Sequence, residues 1–265
     1  MRLLRTVDQV RAELGEPRRR GEHIGLVPTM GAFHDGHLAL IRAAREASDV
    51  VVISLFVNPS QFDAADDLAR YPRDEASDAR AAEAEGVDVL FAPASEELYP
   101  PGFDTWVEPG ELGAVLEGAA RPGHFRGVAT VCTKLFSIVR PDVTWFGQKD
   151  AQQVAVIRRL VADLDLPIEV RVVPTVRDAD GLALSSRNQL LSAAERESAL
   201  ALPRALEAGV AAHRSGGDPE ATARQTLVAA GVVIDYVAVA QFDMPTLVAA
   251  IRVGSTRLID NVVLA

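Results

Sequence analysis

The chain has 265 residues, 48% of them hydrophobic, and a formal net charge of −10. That is enough apolar content for one large domain or two smaller ones. The acidic balance opposes non-specific binding to nucleic acid, which requires many phosphates to be neutralised at once. No stretch approaches the roughly 18 consecutive apolar residues of a membrane span. The N-terminal MRLLRTVDQVRAELGEPRRR lacks the uninterrupted apolar run of a secretion signal. The single cysteine, Cys132, lies in the apolar VATVCTKLFSIV and has no partner for an internal disulfide. We therefore expect a cytoplasmic protein with a buried, unreactive thiol, no membrane and no nucleic-acid partner. Of the 27 basic residues only Lys134 and Lys149 are lysines. In a chain that otherwise uses arginine, these mark positions where a compact ammonium is wanted instead of a planar fork.

In chain order, RRR at 18–20 reads as a solvated face. IGLVPT is then a short apolar strand ending at Thr29, HLALIRAAREA has helical periodicity with an opening near His37, and VVVISLFV is a strand buried on both faces. The alternation continues through a helix in DEASDARAAEAEG, a strand VDVLFAP, a helix VATVCTKLFSIVR, a strand DVTWFG, a helix DAQQVAVIRRLVADL and a strand IEVRVVPT. Such alternation implies right-handed crossovers and an α/β, Rossmann-like, mostly parallel sheet with flanking helices over residues 1–176. Beyond it, DADGLALSSRNQL is polar and turn-rich, an alanine-rich helical stretch follows, and VVIDYVAVA with VAAIRVGSTRLIDNVVLA alternates like antiparallel strands. Residues 177–265 are expected to form a smaller α+β domain that carries the SSRN loop.

Ligands of open α/β sheets collect at the carboxyl ends of the strands, so the segment after the first strand, VPTMGAFHDGHLAL, draws attention to His34 and His37. Three readings compete. A zinc clamp lacks a third ligand at suitable spacing among five histidines and one cysteine. Two buried structural imidazoles are common enough, but GAFHDGH surrounds them with turn residues. As a phosphate cradle, a strand, a glycine-bearing turn and a helix N-terminus present unsatisfied N–H groups and a positive dipole end, with Gly31 and Gly36 admitting phosphate oxygens and the imidazoles donating to them.

HDGH resembles the H-x-G-H signature of the nucleotidyltransferase superfamily that includes class I aminoacyl-tRNA synthetases. The blocks VPTMGAFHDGH, FVNPSQF, YPR, RPGHFRGVATV, PDVTWFGQKDAQQ, PTVRDADGLALSSRN and STRLIDN narrow the resemblance, over about residues 24 to 261, to the pantothenate synthetase (pantoate–β-alanine ligase) family. The resemblance implies ATP-dependent joining of pantoate to β-alanine through a pantoyl adenylate, with release of AMP and pyrophosphate. It implies catalytic roles for His34, His37, Lys149 and Arg187. It also implies an ATP site formed by Met30, Gly31, Ala32, Phe33, His34, Asp35, Gly36, His37, Gly147, Gln148, Lys149, Asp150, Val176, Leu184, Ser185, Ser186 and Arg187. Gln61 and Gln153 are implied to bind pantoate and β-alanine, through amides that both donate and accept. The segment with Glu117, Arg121, His124 and Arg126 is expected to line or cover the site. Magnesium is expected with the nucleotide. The family's acidic cluster is thin in YPRDEASDARAA, which leaves Asp78, beside Asp74, as the candidate metal ligand. A homodimer is implied by the resemblance alone. The rival readings are another adenylyl- or cytidylyltransferase with a different acceptor pocket, and a non-catalytic nucleotide sensor. The SSRN segment also reads as a helix-capping turn.

Overall fold

Runs of β-branched residues without polar interruption need cover on both faces, and the chain supplies it. The computed structural model describes residues 1–62, 68–69 and 71–264. They form two compact units, Met1–Gly147 with Gln153–Val173, and Gln148–Gln152 with Pro174–Ala265.

The first unit is built on strands β1 (Arg2–Leu4), β2 (Ile24–Thr29), β3 (Val50–Leu55), β4 (Val89–Phe91), β5 (Val143–Gly147) and β6 (Glu169–Val173), in the order β1-β4-β3-β2-β5-β6. Every pairing is parallel. The helices between them are α1 (Val7–Glu13), α2 (Gly15–Arg19), α3 (Asp35–Ala47), α4 (Glu75–Ala84), α5 (Ser95–Leu98), α6 (Glu117–Ala120), α7 (His124–Val139) and α8 (Ala151–Asp163). The two-residue period of the strands sorts their side chains between two cores. Ile24, Leu26, Val50, Val52, Val89 and Phe91 face α1, α7 and α8, burying Val10, Leu135 and Ile157. Val27, Val51, Ile53 and Leu90 face the other way, onto Leu40, Ile41 and Ala44 of α3 and Ala82 of α4. Slipping β3 by one residue would exchange the two sets, so burial on both sides pins its register. Ile53 is fully buried, and truncating such a residue to alanine costs about 2–5 kcal/mol.

The strand order reverses between β2 and β5, and the crevice beyond the carboxyl ends at such a switch point is where α/β folds bind ligands. The turn after β2 lies at the carboxyl end of that strand. The N-terminal segment had no assignment in the sequence reading. It supplies β1, which pairs with β4 at the sheet edge. A three-residue edge strand carries too short a pattern to stand out.

The second unit is an antiparallel sheet of β7 (Val233–Gln241), β8 (Pro245–Val253) and β9 (Thr256–Val263) with β8 central. Its helices are α9 (Ala193–Ala199), α10 (Ala201–Arg214) and α11 (Pro219–Ala229). Leu202, Leu206 and Leu227 of the helices pack on Leu247, Ile251 and Leu258 of the strands. Ser192 and Glu195 form a capping box on α9, and Asp218 caps α11 ahead of Pro219. The α/β sheet with a smaller C-terminal α+β part is thus as the sequence predicts. No helix among the described residues is long and apolar enough to cross a membrane.

Candidate active site

The turn after β2 is held by its own residues. Gly31 has φ +87° and Ala32 φ +54°, a left-handed pair that reverses the chain. The N–H groups of Ala32 and Phe33 consequently converge on one carboxylate: Asp78 of α4 accepts them at 2.9 and 2.8 Å. A Cβ at position 31 would meet Asp78 Oδ2 at 2.8 Å and Leu55 Cδ1 at 2.7 Å, so this approach requires glycine as much as the backbone angle does.

His34 is the N-cap of α3, which therefore opens at Asp35, two residues before the position expected from the periodicity. Its Nδ1 accepts the Gly36 N–H at 3.1 Å, and His37 Nδ1 accepts the His34 N–H at 3.4 Å, a capping box made of two imidazoles. A Cβ on Gly36 would sit 2.8 Å from His34 Cε1, so the second glycine makes room for the first histidine. Backbone N–H groups only donate, which makes both Nδ1 atoms acceptors. Each neutral ring then carries its proton on Nε2. The ring centroids are 4.2 Å apart, and Phe33 lies 5.4 Å from His37.

Two expectations change here. The turn does not offer a row of open amides, because those of Ala32, Phe33, His34 and Gly36 are all engaged. The two glycines serve internal packing, and the hydrogen-bond roles fixed by this arrangement are those of the two Nδ1 atoms, as acceptors. Asp78, the candidate metal ligand, is only 4% exposed with both oxygens taken by backbone N–H groups. It is placed to hold the turn instead of an ion. Asp74 is the cap of α4, its Oδ1 accepting the Ser77 N–H at 3.0 Å. Among the described residues, no group of three or more His, Cys, Asp or Glu is arranged to hold a metal. These residues do not fit a magnesium held by the protein at Asp78.

Gln61 lies beyond β3 in a single 3-10 turn, Pro59–Gln61, capped by the fully buried Asn58. The orientation of the Asn58 amide is fixed twice: Oδ1 accepts the Ser60 N–H at 3.3 Å, and Nδ2 donates to the Gly127 carbonyl at 3.2 Å. Nδ2 also donates at 2.8 Å to Gln61, so the Gln61 atom facing it must be Oε1. Oε1 of Gln61 thus has a partner inside the protein, and Nε2 is its donating end. Arg121 Nη1 meets His124 Nε2 at 3.2 Å, and His124 Nδ1 meets the Gln61 carbonyl at 2.9 Å. The guanidinium can only donate, so His124 accepts at Nε2 and donates from Nδ1. The 117–126 segment therefore braces the backbone of Gln61. Asn58 was missed by the sequence reading, although Asn followed by Pro is a recognisable cap-and-first-turn signal. Gln153 lies half-buried in the first turn of α8.

Gly147 ends β5 in the first unit, and the remaining expected residues belong to the second. Lys149 and Gln148 lie in the 3-10 turn Gln148–Asp150. Val176 and Leu184 are joined by a backbone bond at 3.0 Å across a hairpin, whose bridge is Arg177 with Ala183. Ser185 then caps a second 3-10 turn, Ser186–Leu190, by accepting the Arg187 N–H at 3.2 Å. The capping alternative thus holds for Ser185 locally, while the helix that follows is capped by Ser192.

The chain as a whole is similar to known proteins. The model of the family described as pantoate-beta-alanine ligase matches residues 2–263. A pantothenate synthetase of Moorella thermoacetica is 51% identical over 100% of this chain and 99% of its own length, and one of Corynebacterium efficiens is 55% identical over 90% of each. Among solved structures, the pantothenate synthetase of Thermus thermophilus superposes with a TM-score of 0.93 at 46% identity, covering 100% of this chain and 99% of that one. A pantoate-beta-alanine ligase of Francisella tularensis, complexed with beta-gamma ATP and beta-alanine, superposes with a TM-score of 0.87 at 34% identity, over 100% and 98% of the two chains. With its family model matched from end to end and full-length relatives near half identity, the chain belongs to the pantoate-beta-alanine ligase family.

Proposed function

We propose that the paired imidazoles at the β2 turn receive the phosphates of ATP while pantoate is turned into an acyl adenylate. The reaction is the family's: ATP-dependent condensation of (R)-pantoate with β-alanine, by an enzyme that supplies the coenzyme A precursor pantothenate. The observation that supports the residue assignment is the His34–His37 capping box, which commits both Nδ1 atoms to the backbone and holds the two rings 4.2 Å apart at the start of α3.

In the first step a pantoate carboxylate oxygen attacks the α-phosphorus, and the bond to the bridging oxygen of pyrophosphate breaks. The carboxylate is already ionised at neutral pH, so the step needs no strong base. It needs donors and cations to offset repulsion between anions and to stabilise the charge growing on pyrophosphate. His34, His37, Lys149 and Arg187 are proposed for that task, and Met30–His37, Gly147–Asp150, Val176 and Leu184–Arg187 are proposed as nucleotide-binding residues. Gln61, through Nε2, and Gln153 are proposed to hold pantoate. A neutral amide orients the carboxylate without blunting its attack as a bidentate arginine would. In the second step the amine of β-alanine, as the free base, attacks the acyl carbon. The C–N bond forms, the acyl C–O bond to AMP breaks, and one proton is released from the nitrogen. Alignment of the two reactants supplies much of the acceleration, since effective molarities reach about 10⁵ M or more.

Magnesium is proposed to arrive on the phosphates of the nucleotide, and no step here runs through a protein-bound ion. A cytoplasmic homodimer is proposed on the family resemblance. The test of the function is isotope exchange between pyrophosphate and ATP. Exchange that depends strictly on pantoate supports it. Exchange without pantoate identifies a different nucleotidyltransferase, and none at all identifies a nucleotide sensor.

A further inference from the structure

Lys149 sits on a three-residue 3-10 turn, Gln148–Asp150, too short to fix its own position through helical bonds. What fixes it comes from far along the chain. Asn261 of β9, in STRLIDN, is 4% exposed and donates from Nδ2 to the carbonyls of both Gln148 and Lys149, each at 2.9 Å. Its Oδ1 accepts from Gln148 Nε2 at 3.1 Å, so the whole carboxamide is spent on this one turn. Two converging backbone carbonyls can only be met by a group with two N–H bonds, which selects Asn over Asp at this size.

Asn261 is itself anchored. Its backbone N–H donates to Asp260 Oδ1 at 2.8 Å. The 2% exposed Asp260 carboxylate is gripped bidentately by Arg177 at 2.6 and 3.0 Å. Arg177 also donates to the Gly181 carbonyl at 3.1 Å, within the hairpin that leads to Ser185–Arg187. The contact pattern agrees, for Gln148–Gln152 groups with residues 174–265 although it follows β5 directly.

We infer that Asn261 is a positioning residue for Lys149, holding the turn that carries the ammonium through the carbonyls of Gln148 and Lys149. The inference rests on the role proposed above for Lys149 at the ATP phosphates. Asn261→Asp keeps the size and the acceptor but removes both donors and sets a carboxylate against two carbonyls. A displacement of about 1 Å in a catalytic group costs on the order of 10²-fold in rate. The experiment is a double-mutant cycle on single-turnover pantoyl adenylate formation, with Asn261→Asp, Lys149→Ala and the double variant in the full chain.

Asn261→Asp alone is expected to lower the adenylation rate about 10- to 100-fold with the KM for pantoate little changed. In the Lys149→Ala background the same substitution is expected to cost less than about threefold, because the group through which it acts is gone. Equal losses in both backgrounds, or a wild-type rate for Asn261→Asp, would overturn the inference. Full activity of Lys149→Ala alone would instead remove the Lys149 assignment, and this inference with it. Should Asn261→Asp not fold, Asn261→Ala with hydrogen exchange across residues 147–152 replaces it. Faster exchange confined to that peptide supports the tether, and unchanged exchange there refutes it.

Discussion

Asp78 is a buried carboxylate that holds the turn leading to His34. Replacing it with alanine removes the acceptor of the Ala32 and Phe33 N–H groups, which it meets at 2.9 and 2.8 Å. Hydrogen bonds to a charged acceptor are worth about 1.5–3 kcal/mol each, and each buried N–H left unpaired costs about 1–3 kcal/mol. Removing a buried charge returns part of this. A net loss of about 2–4 kcal/mol follows, a fall in melting temperature of about 2–4 °C for each kcal/mol. The catalytic effect is expected to be larger than the stability loss suggests. With Gly31 and Ala32 in left-handed conformations, the freed turn relaxes and carries His34 with it, so adenylate formation is expected to drop about 10²-fold. Asp78→Asn retains one acceptor and is expected to fall between. The assay is quenched-flow measurement of pantoyl adenylate at saturating substrates, repeated over a magnesium titration. A wild-type rate restored simply by more magnesium would refute the positioning role and return Asp78 to metal binding.

His37→Ala is expected to abolish adenylate formation in single turnover while circular dichroism shows an intact fold and melting falls only by the few degrees that loss of about 1 kcal/mol of capping implies. Gln61→Glu, which replaces the Nε2 donor with an anionic oxygen, and Gln153→Ala are each expected to raise the KM for pantoate much more than that for ATP; equal effects on both would displace them from the pantoate site. The Cys132 thiol, 3% exposed and pushed up by burial to a pKa of about 12, is expected to resist alkylation in the native protein at pH 8 and to react only on unfolding, as mass spectrometry would read. Burial raises the Asp235 pKa, but bonds from Arg252 at 2.9 Å and Arg257 at 2.6 Å outweigh it and leave the group below its ordinary value. Its contribution is therefore present above about pH 4, the unfolded carboxyl value, and is lost as pH falls through the folded one. Asp235→Asn is expected to flatten stability against pH in that acid window, measured by urea unfolding.

The parallel sheet was legible because β3 and its neighbours are apolar without alternation, and the C-terminal strands because they alternate with turn residues between them. Edge strand β1 escaped notice for want of length. The candidate site residues were read as residue types in order, since His34, His37, Gln61 and Gln153 stand in recognisable blocks. Their support was not, because it comes from residues remote in sequence. Asp78 reaches back 46 positions to Ala32, and Asn261 reaches 112 positions to Lys149. Periodicity reports which face of an element is buried, whereas these contacts depend on where two elements end. The glycines of the turn illustrate the same limit: the pattern marks a close approach at Gly31 and Gly36, but only the fold shows that Asp78 and the His34 ring make it.

The most direct test is an electron-density map of the protein with a non-hydrolysable ATP analogue and pantoate. The two Nε2–H donors predict phosphate oxygens within about 3 Å of His34 and His37 Nε2, with both Nδ1 atoms still accepting the N–H groups of Gly36 and His34. A triphosphate lying away from that turn, or imidazoles swung off the backbone to bind it, would contradict the assignment.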